Sequence, residues 1–180
     1  RLIAQAVEGL REEGHNISQP LIGVMIEVPA AVYQVRRFAR RVDFISVGSN
    51  DLTQYLLAVD RNNPRVADLY VPYHPAVLKA LQFIVLEAHK ENVSVSICGE
   101  MAADPGGAIL LMAMGYDVLS MNATNLPKVK FALRGISFER AKALLSEIIV
   151  IGDADKIQAA LSSRLKEMGL GQLTQPTMPD

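Results

Sequence analysis

Five residues carry chemistry that could combine into one site: two carboxylates, an amide, an arginine and the chain's single cysteine. Glu27 closes a short apolar run, Asn50 and Asp51 directly follow a second run, and Cys98 ends a third. Arg61 lies in the polar loop that comes next after Asp51. Magnesium is commonly held by one or two carboxylates, several waters and a substrate phosphate, and a guanidinium can bind phosphate through two parallel N–H donors. The set is therefore compatible with a magnesium and phosphate site.

Each of these residues also has a structural interpretation. Glu27 and Asp51 could be salt-bridged carboxylates, and Asp51 could cap a helix over residues 52–57. A lone loop arginine such as Arg61 is more often a solvated surface charge. Most free cysteines behave as small buried hydrophobic residues, so Cys98 could be packing alone or could act as an acid, a base or a nucleophile. Spacing alone leaves these alternatives open.

The loop Gly48–Asp51 offers small residues, backbone amides and the start of a helix, which is a plausible cradle for an anion. It is not a phosphate-binding Walker loop, and no G-x-G-x-x-G pattern occurs in the chain. No histidine lies near Cys98 in the sequence, and only His74, in a loop before a proline, could approach the strand ends. A proton-donor role for a neutral thiol therefore fits Cys98 better than histidine-activated attack.

The elements that must position these residues are short strands alternating with helices. The apolar runs lack clean alternation, as expected for parallel strands buried on both faces. The predicted strands are 21–27, 42–48, 93–98 and 117–121, and the predicted helices are 2–13, 30–41, 75–91, 105–114, 138–149 and 154–168. The order indicates an α/β fold of parallel βαβ units, in which the carboxyl ends of the strands share one rim. The tail 171–180 is predicted to be frayed.

Composition limits the class of protein further. The chain has 180 residues, 50% hydrophobic and 21% charged, with a net charge of -1 and no basic block. This balance argues against nucleic-acid or anionic-membrane partners, and no apolar run reaches the roughly 18 residues of a membrane helix. One cysteine excludes an internal disulfide and a cysteine-based zinc site, and favours a reducing cytoplasmic setting. Because the chain starts at Arg1 without a signal-like segment, we expect a piece of a larger protein.

Three stretches make a family resemblance visible. Residues 23–31 (GVMIEVPAA), 42–61 (VDFISVGSNDLTQYLLAVDR) and 98–102 (CGEMA) closely resemble enzyme I of the phosphoenolpyruvate (PEP)-dependent phosphotransferase system. The likeness covers nearly the whole chain in the same order. Pyruvate phosphate dikinase and PEP synthase share the outline of these blocks. Within the enzyme I family, residues 43–63 and the segment 165–173 (LKEMGLGQL) resemble the nitrogen-related branch more than the sugar-system enzyme.

The resemblance implies a PEP-binding (β/α)8 TIM barrel, of which residues 1–180 would form the C-terminal half, about four βα units. PEP would give its phosphoryl group to a histidine on another domain, and the group would pass to an HPr-like phosphocarrier protein while pyruvate is released. Carried onto this sequence, Glu27 and Asp51 would coordinate Mg²⁺. Asn50, Asp51 and Arg61 would contact the substrate, and Cys98 would protonate the enolpyruvate carbon.

The sequence departs from the family pattern in small and large ways. Ser49 stands where many relatives have Thr, and Ala103 where Gly is usual. No histidine lies in a motif like the family's phosphorylation site, so the chain is expected to carry half of an active site and to be inactive alone. An open half-barrel would leave strand edges unpaired and favour a homodimer. The alternatives are a dikinase or PEP synthase, a magnesium-dependent lyase, and a non-catalytic dimerisation module built on helix 75–91.

Overall fold

A four-stranded parallel sheet organises the protein. The computed structural model describes residues 1–171, and the strands are β1 (Gly23–Ile26), β2 (Phe44–Gly48), β3 (Ser94–Cys98) and β4 (Val118–Ser120). They pair in the order β1-β2-β3-β4, so each strand lies beside its neighbour in the sequence. Each strand lies within a predicted apolar run. The carboxyl ends of all four strands therefore lie along one edge.

Ten α-helices in the described residues surround and extend this sheet. Prolines stand at the first turn of several of them, where a missing N–H costs no hydrogen bond. The helices are α1 (Leu2–Glu12), α2 (Pro29–Val32), α3 (Val35–Ala39), α4 (Ser49–Leu57), α5 (Pro75–His89), α6 (Glu100–Ala103), α7 (Pro105–Met114), α8 (Leu126–Arg134), α9 (Phe138–Ile148) and α10 (Ala154–Glu167), with a 3₁₀ turn at Ala67–Leu69. Among the described residues, none of these helices has the length and apolar character needed to cross a membrane.

Only one face of the sheet is covered by the described residues. Along β2 and β3 the side chains of Ile45, Val47, Val95 and Ile97 are buried in a core shared with the helices. The alternate side chains face the other way: Met25 is 46% exposed, Phe44 38% and Val118 55%. The expectation that the strands are buried on both faces is therefore wrong for this chain as described.

The helices differ from the sequence predictions at several places, one of which is the short helix α6 that no prediction covers. The segment predicted as one helix over 30–41 is two short helices, with Gln34 N–H bonded to Ala31 O at the junction. Helix α8 lies in a segment where the apolar pattern predicts no element. Helix α4 begins at Ser49 rather than at residue 52. The predicted frayed tail lies outside the described residues from residue 172 on.

Candidate functional site at the carboxyl edge of the sheet

The ends of β2 and β3 form the centre of the candidate site. Gly48, the last residue of β2, is the direct neighbour of Cys98, the last residue of β3. The chain then enters α4 with Gly48 as the residue before the helix, and no side chain caps this helix. Ser49 Oγ donates a hydrogen bond to Cys98 O at 2.7 Å. The loops that follow the two strands are thus held together from their first residue.

Gly99 lets these two loops approach closely. Its backbone has φ +116 and ψ -177, a conformation that a side chain disfavours. A Cβ at this position would stand 2.2 Å from Ser49 Oγ and 2.7 Å from Asn50 Oδ1. Both the dihedral angles and the contact distances therefore require glycine between Cys98 and α6.

Asn50 is bonded to two separate segments. Its Oδ1 accepts a hydrogen bond from the backbone N–H of Glu100 at 3.0 Å, across from the β3 loop. The Tyr70 hydroxyl lies 3.4 Å from Asn50 O and 3.5 Å from Asn50 Oδ1. Asn50, predicted as a substrate contact, is therefore fixed by groups distant in the sequence.

Asp51 and Arg61 form an ion pair, with Asp51 Oδ1 3.1 Å from Arg61 Nη2. The side chains are 42% and 31% exposed, so the pair borders solvent without being fully solvated. Arg61 N–H donates to Gln54 Oε1 at 3.2 Å, and Nη1 of Arg61 is buried without a hydrogen-bond partner in the described residues. Arg61 is therefore not a free surface charge, and Asp51 is salt-bridged. The capping alternative for Asp51 is wrong because this residue lies inside the first turn of α4.

Glu27 reaches the same edge from β1, directly after the strand ends. A Cβ at Gly48 would stand 3.1 Å from both Glu27 Cβ and Glu27 Oε2, so the carboxylate lies against the β2 end. Glu27 is half-buried. The predicted metal ligands therefore follow neighbouring strands: Glu27 comes directly after β1, and Asp51 lies in the first turn of α4 after β2.

The thiol of Cys98 is half-buried at the end of β3. Its Sγ donates a weak hydrogen bond to Val47 O at 3.6 Å. The S–H group therefore points across to a backbone carbonyl of the neighbouring strand β2. The geometry suits a neutral acid better than a thiolate nucleophile, because a carbonyl oxygen offers nothing that stabilises negative charge on sulfur.

The two carboxylates at this edge are oxygen donors of the type that magnesium binds. In the part of the chain that the structure describes, no group of three or more His, Cys, Asp or Glu side chains is arranged around a metal position. Magnesium does not require one, since it binds through one or two carboxylates and takes its other ligands from water and phosphate. Glu27 and Asp51 supply two hard oxygen donors of that kind.

His74, which the sequence singled out, and two further polar residues, His89 and Asn122, have local roles. His74 Nδ1 accepts a hydrogen bond from Ala76 N–H at 3.2 Å and caps α5. His89 pairs with Asp117 at 3.0 Å, away from the rim. Asn122, which follows β4, accepts from Asn125 N–H at 3.0 Å and closes the turn before α8. None of these three bonds involves a residue of the candidate site.

Three residues support the site, of which sequence reasoning included one. Ser49, Gln54 and Tyr70 each bond a predicted site residue. Ser49 belongs to the loop Gly48–Asp51, which the sequence analysis describes as a cradle for an anion. Gln54 and Tyr70 carry no such signal, since one lies within a helix and the other in an irregular loop.

Comparison with known proteins gives one consistent family. The family described as "PEP-utilising enzyme, PEP-binding domain" matches residues 1–138. A Salmonella typhimurium protein named "Phosphoenolpyruvate-dependent phosphotransferase system" is 44% identical over 174 residues, which cover 96% of this chain and 23% of that protein. The "Phosphoenolpyruvate-protein phosphotransferase" of Geobacillus stearothermophilus is 38% identical over 87% of this chain and 27% of its own length. "Multiphosphoryl transfer protein 1" of Escherichia coli is 41% identical, over 89% and 20%. The chain thus spans about a quarter of the length of these relatives.

Proposed function

The chain belongs to the PEP-utilising enzymes through their PEP-binding domain, and we propose that it supplies the catalytic edge of a PEP–protein phosphotransferase, enzyme I. The observation that carries this proposal is the meeting of Asn50, the Asp51–Arg61 pair and Cys98 at the ends of adjacent parallel strands. The nitrogen-related branch stays a prediction from sequence.

The proposed barrel is supported by the uncovered side of the sheet. All four strands are parallel, the helices of the core lie on one face, and the other face exposes Met25, Phe44 and Val118. Parallel sheets occur almost only with both faces covered, and barrels cover the inner face with side chains from further strands. We therefore infer that these four strands are half of a (β/α)8 barrel, completed by other segments of a longer enzyme.

The substrate-binding step follows from the charge at the rim. The Arg61 guanidinium and the Nδ2 donors of Asn50 would hold the PEP phosphate, and the positive end of α4 would favour the same anion. Glu27 and Asp51 would hold Mg²⁺, which would neutralise negative charge on the substrate oxygens as the phosphoryl group departs. Fixed donors around a transferring phosphoryl group supply most of the catalysis in such reactions.

Cys98 completes the reaction on the carbon side. When the P–O bond of PEP breaks, the phosphoryl group goes to a histidine nitrogen on another domain and the enolate of pyruvate remains. The Cys98 thiol would give its proton to the enolate carbon, which forms the methyl group of pyruvate and leaves a thiolate that regains its proton from water. Protonation removes the high-energy enolate and thereby favours transfer. The phosphohistidine would then pass its group to an HPr-like phosphocarrier.

The test is the full-length enzyme with Cys98→Ala. We expect this variant to bind PEP with wild-type affinity and to release pyruvate about 10²- to 10⁴-fold more slowly, the usual contribution of a positioned acid. Ser94→Ala, at the exposed opposite end of β3, is the matched control and should keep the wild-type rate. A wild-type rate of pyruvate release in Cys98→Ala would remove the proton-donor role. Unchanged PEP binding in Asp51→Ala would remove the proposed site as a whole.

The same bare sheet face supports a second candidate, a module that associates with a copy of itself. Exposed apolar side chains and open edges at β1 and β4 are the features that favour pairing between chains. Sedimentation of the 180-residue chain tests the association module, because a monomer at micromolar concentration would rule it out. An inactive dimer is expected from either candidate, since half of an active site is also inactive alone, so the rate of pyruvate release by full-length Cys98→Ala separates the two.

A further inference from the structure

Tyr70 approaches the site from a segment that the strand pattern does not include. It directly follows the 3₁₀ turn at Ala67–Leu69, where its N–H donates to Ala67 O at 2.9 Å. The residue is half-buried, and its hydroxyl stands within hydrogen-bonding distance of both Asn50 oxygens, at 3.4 Å and 3.5 Å. The loop between α4 and α5 therefore brings this side chain back onto Asn50, the second residue of α4.

Two donors converge on one end of the Asn50 amide. Glu100 N–H donates to Oδ1 at 3.0 Å, and the Tyr70 hydroxyl lies 3.5 Å from the same atom. An amide has an acceptor end and a donor end. When Oδ1 is engaged by both groups, the Nδ2 end points away from them and presents N–H donors, which is the polarity that a phosphate oxygen requires.

The Tyr70 hydroxyl also lies near Arg61. Burial, followed by the negative charge of Glu100, raises the pKa of Tyr70, and the charge of Arg61 opposes this rise. The hydroxyl is therefore protonated at neutral pH and able to donate. Arg61 engages Asp51 through Nη2, while its buried Nη1 has no hydrogen-bond partner in the described residues. A phenolic oxygen beside the guanidinium restricts the positions that it can take.

We propose that Tyr70 is a positioning residue for phosphate binding, which orients the Asn50 amide and restrains the Arg61 guanidinium without touching the substrate itself. This inference rests on the proposed function, because it assigns a role to a group behind the PEP contacts. It adds a residue that stands 20 positions after Asn50 and belongs to none of the strand-end segments.

Tyr70→Phe in the full-length enzyme tests the inference, with Tyr33→Phe as the matched control. Tyr33 is 83% exposed, so Tyr33→Phe removes the same hydroxyl group from a surface position. We expect Tyr70→Phe to raise the Kd for PEP, measured by titration calorimetry with Mg²⁺ present, roughly threefold to tenfold, as loss of one net hydrogen bond does. KM should rise in parallel while kcat changes less than twofold, and the thermal midpoint should match that of the control.

A double-mutant cycle with Asn50→Ala separates positioning from a general structural effect. If Tyr70 acts through the amide, Tyr70→Phe will change the PEP affinity much less in the Asn50→Ala background than in the wild type. Full additivity of the two effects, or a wild-type Kd in Tyr70→Phe, would overturn the positioning role while leaving the proposed function in place. Wild-type PEP affinity in both Asn50→Ala and Arg61→Ala would overturn the proposed function and this inference together.

Discussion

Substituting Gly99 by alanine tests whether the two strand-end loops must approach as closely as the structure shows. Alanine at φ +116 and ψ -177 would be held in a conformation that costs on the order of 1–3 kcal/mol. Its methyl group would stand 2.2 Å from Ser49 Oγ and 2.7 Å from Asn50 Oδ1, and relieving such overpacking costs about 1–3 kcal/mol more. We therefore expect a loss of about 2–6 kcal/mol in the free energy of unfolding.

The chain offers controls that separate backbone strain from steric conflict. Gly14 also has a positive φ, +89, but no atom lies within 4 Å of a Cβ built there. Gly14→Ala should therefore show strain alone. Gly152→Ala has neither positive φ nor close neighbours, and should be neutral or slightly stabilising. The measurement is the midpoint of thermal unfolding of each variant. Relative to the wild type, we expect the midpoint to be lower by about 10 °C in Gly99→Ala and by clearly less in Gly14→Ala.

Ser49→Ala supplies the decisive comparison. Alone, it removes the hydrogen bond from Ser49 Oγ to Cys98 O and should cost about 1 kcal/mol. Combined with Gly99→Ala, it removes the oxygen that the new methyl group would meet, so the double variant should be more stable than the sum of the single effects predicts. If Gly99→Ala unfolds at the same temperature as Gly14→Ala, or if Ser49→Ala gives no relief, the steric reasoning is refuted.

Two further predictions concern polar groups away from the site. Tyr116 is buried and donates its hydroxyl to Leu81 O at 3.1 Å, so Tyr116→Phe should lower the free energy of unfolding in urea by about 1 kcal/mol, and an unchanged value would contradict the bond. Burial alone would raise the pKa of Asp117. Hydrogen bonds to its carboxylate from Val95 N–H, at 2.7 Å, and from His89 outweigh the effect of burial and hold the pKa below its usual range. This stabilisation is present above the ordinary carboxyl pKa of about 4 and is lost as pH falls through the lower folded value. Asp117→Asn should therefore lose stability at neutral pH and show a flatter acid limb, whereas an acid limb parallel to wild type would refute the assignment.

The strands were predictable from sequence because buried parallel strands consist of short runs of apolar residues. Glu27, Asn50 and Cys98 follow such runs, and the shared carboxyl edge of a parallel sheet then brings them to one rim whatever the intervening segments do. The structure follows this rule, because Gly48 at the end of β2 pairs with Cys98 at the end of β3. The apolar runs do not reveal whether the second face of the sheet is covered, because an apolar strand has the same sequence whether that face is exposed or packed.

The ion pair between Asp51 and Arg61 was not predictable from spacing. Asp51 lies in the first turn of α4, whereas Arg61 lies in the loop after the helix. Between them, Ala58 ends the helix in a left-handed conformation with φ 53 and redirects the chain. Alanine carries no sequence signal for such a turn. Helix α8 was not predicted because its segment opens with a leucine–proline pair that resembles a loop, although five of its nine residues are apolar.

The contacts divide the candidate site into a rigid part and a separate part. Ser49 with Cys98, Asn50 with Glu100, and the tight space at Gly99 all join the β2 loop to the β3 loop, so Asn50 and Cys98 belong to one body of directly connected residues. Glu27 lies against Gly48 at the edge of that body, and none of these three contacts includes it. In phosphoryl transfer the acid and the phosphate donors must keep a fixed distance across one substrate molecule, whereas a metal ligand can adjust to the ion because water completes the shell. The linkage observed between the loops is therefore strongest where the proposed chemistry tolerates displacement least.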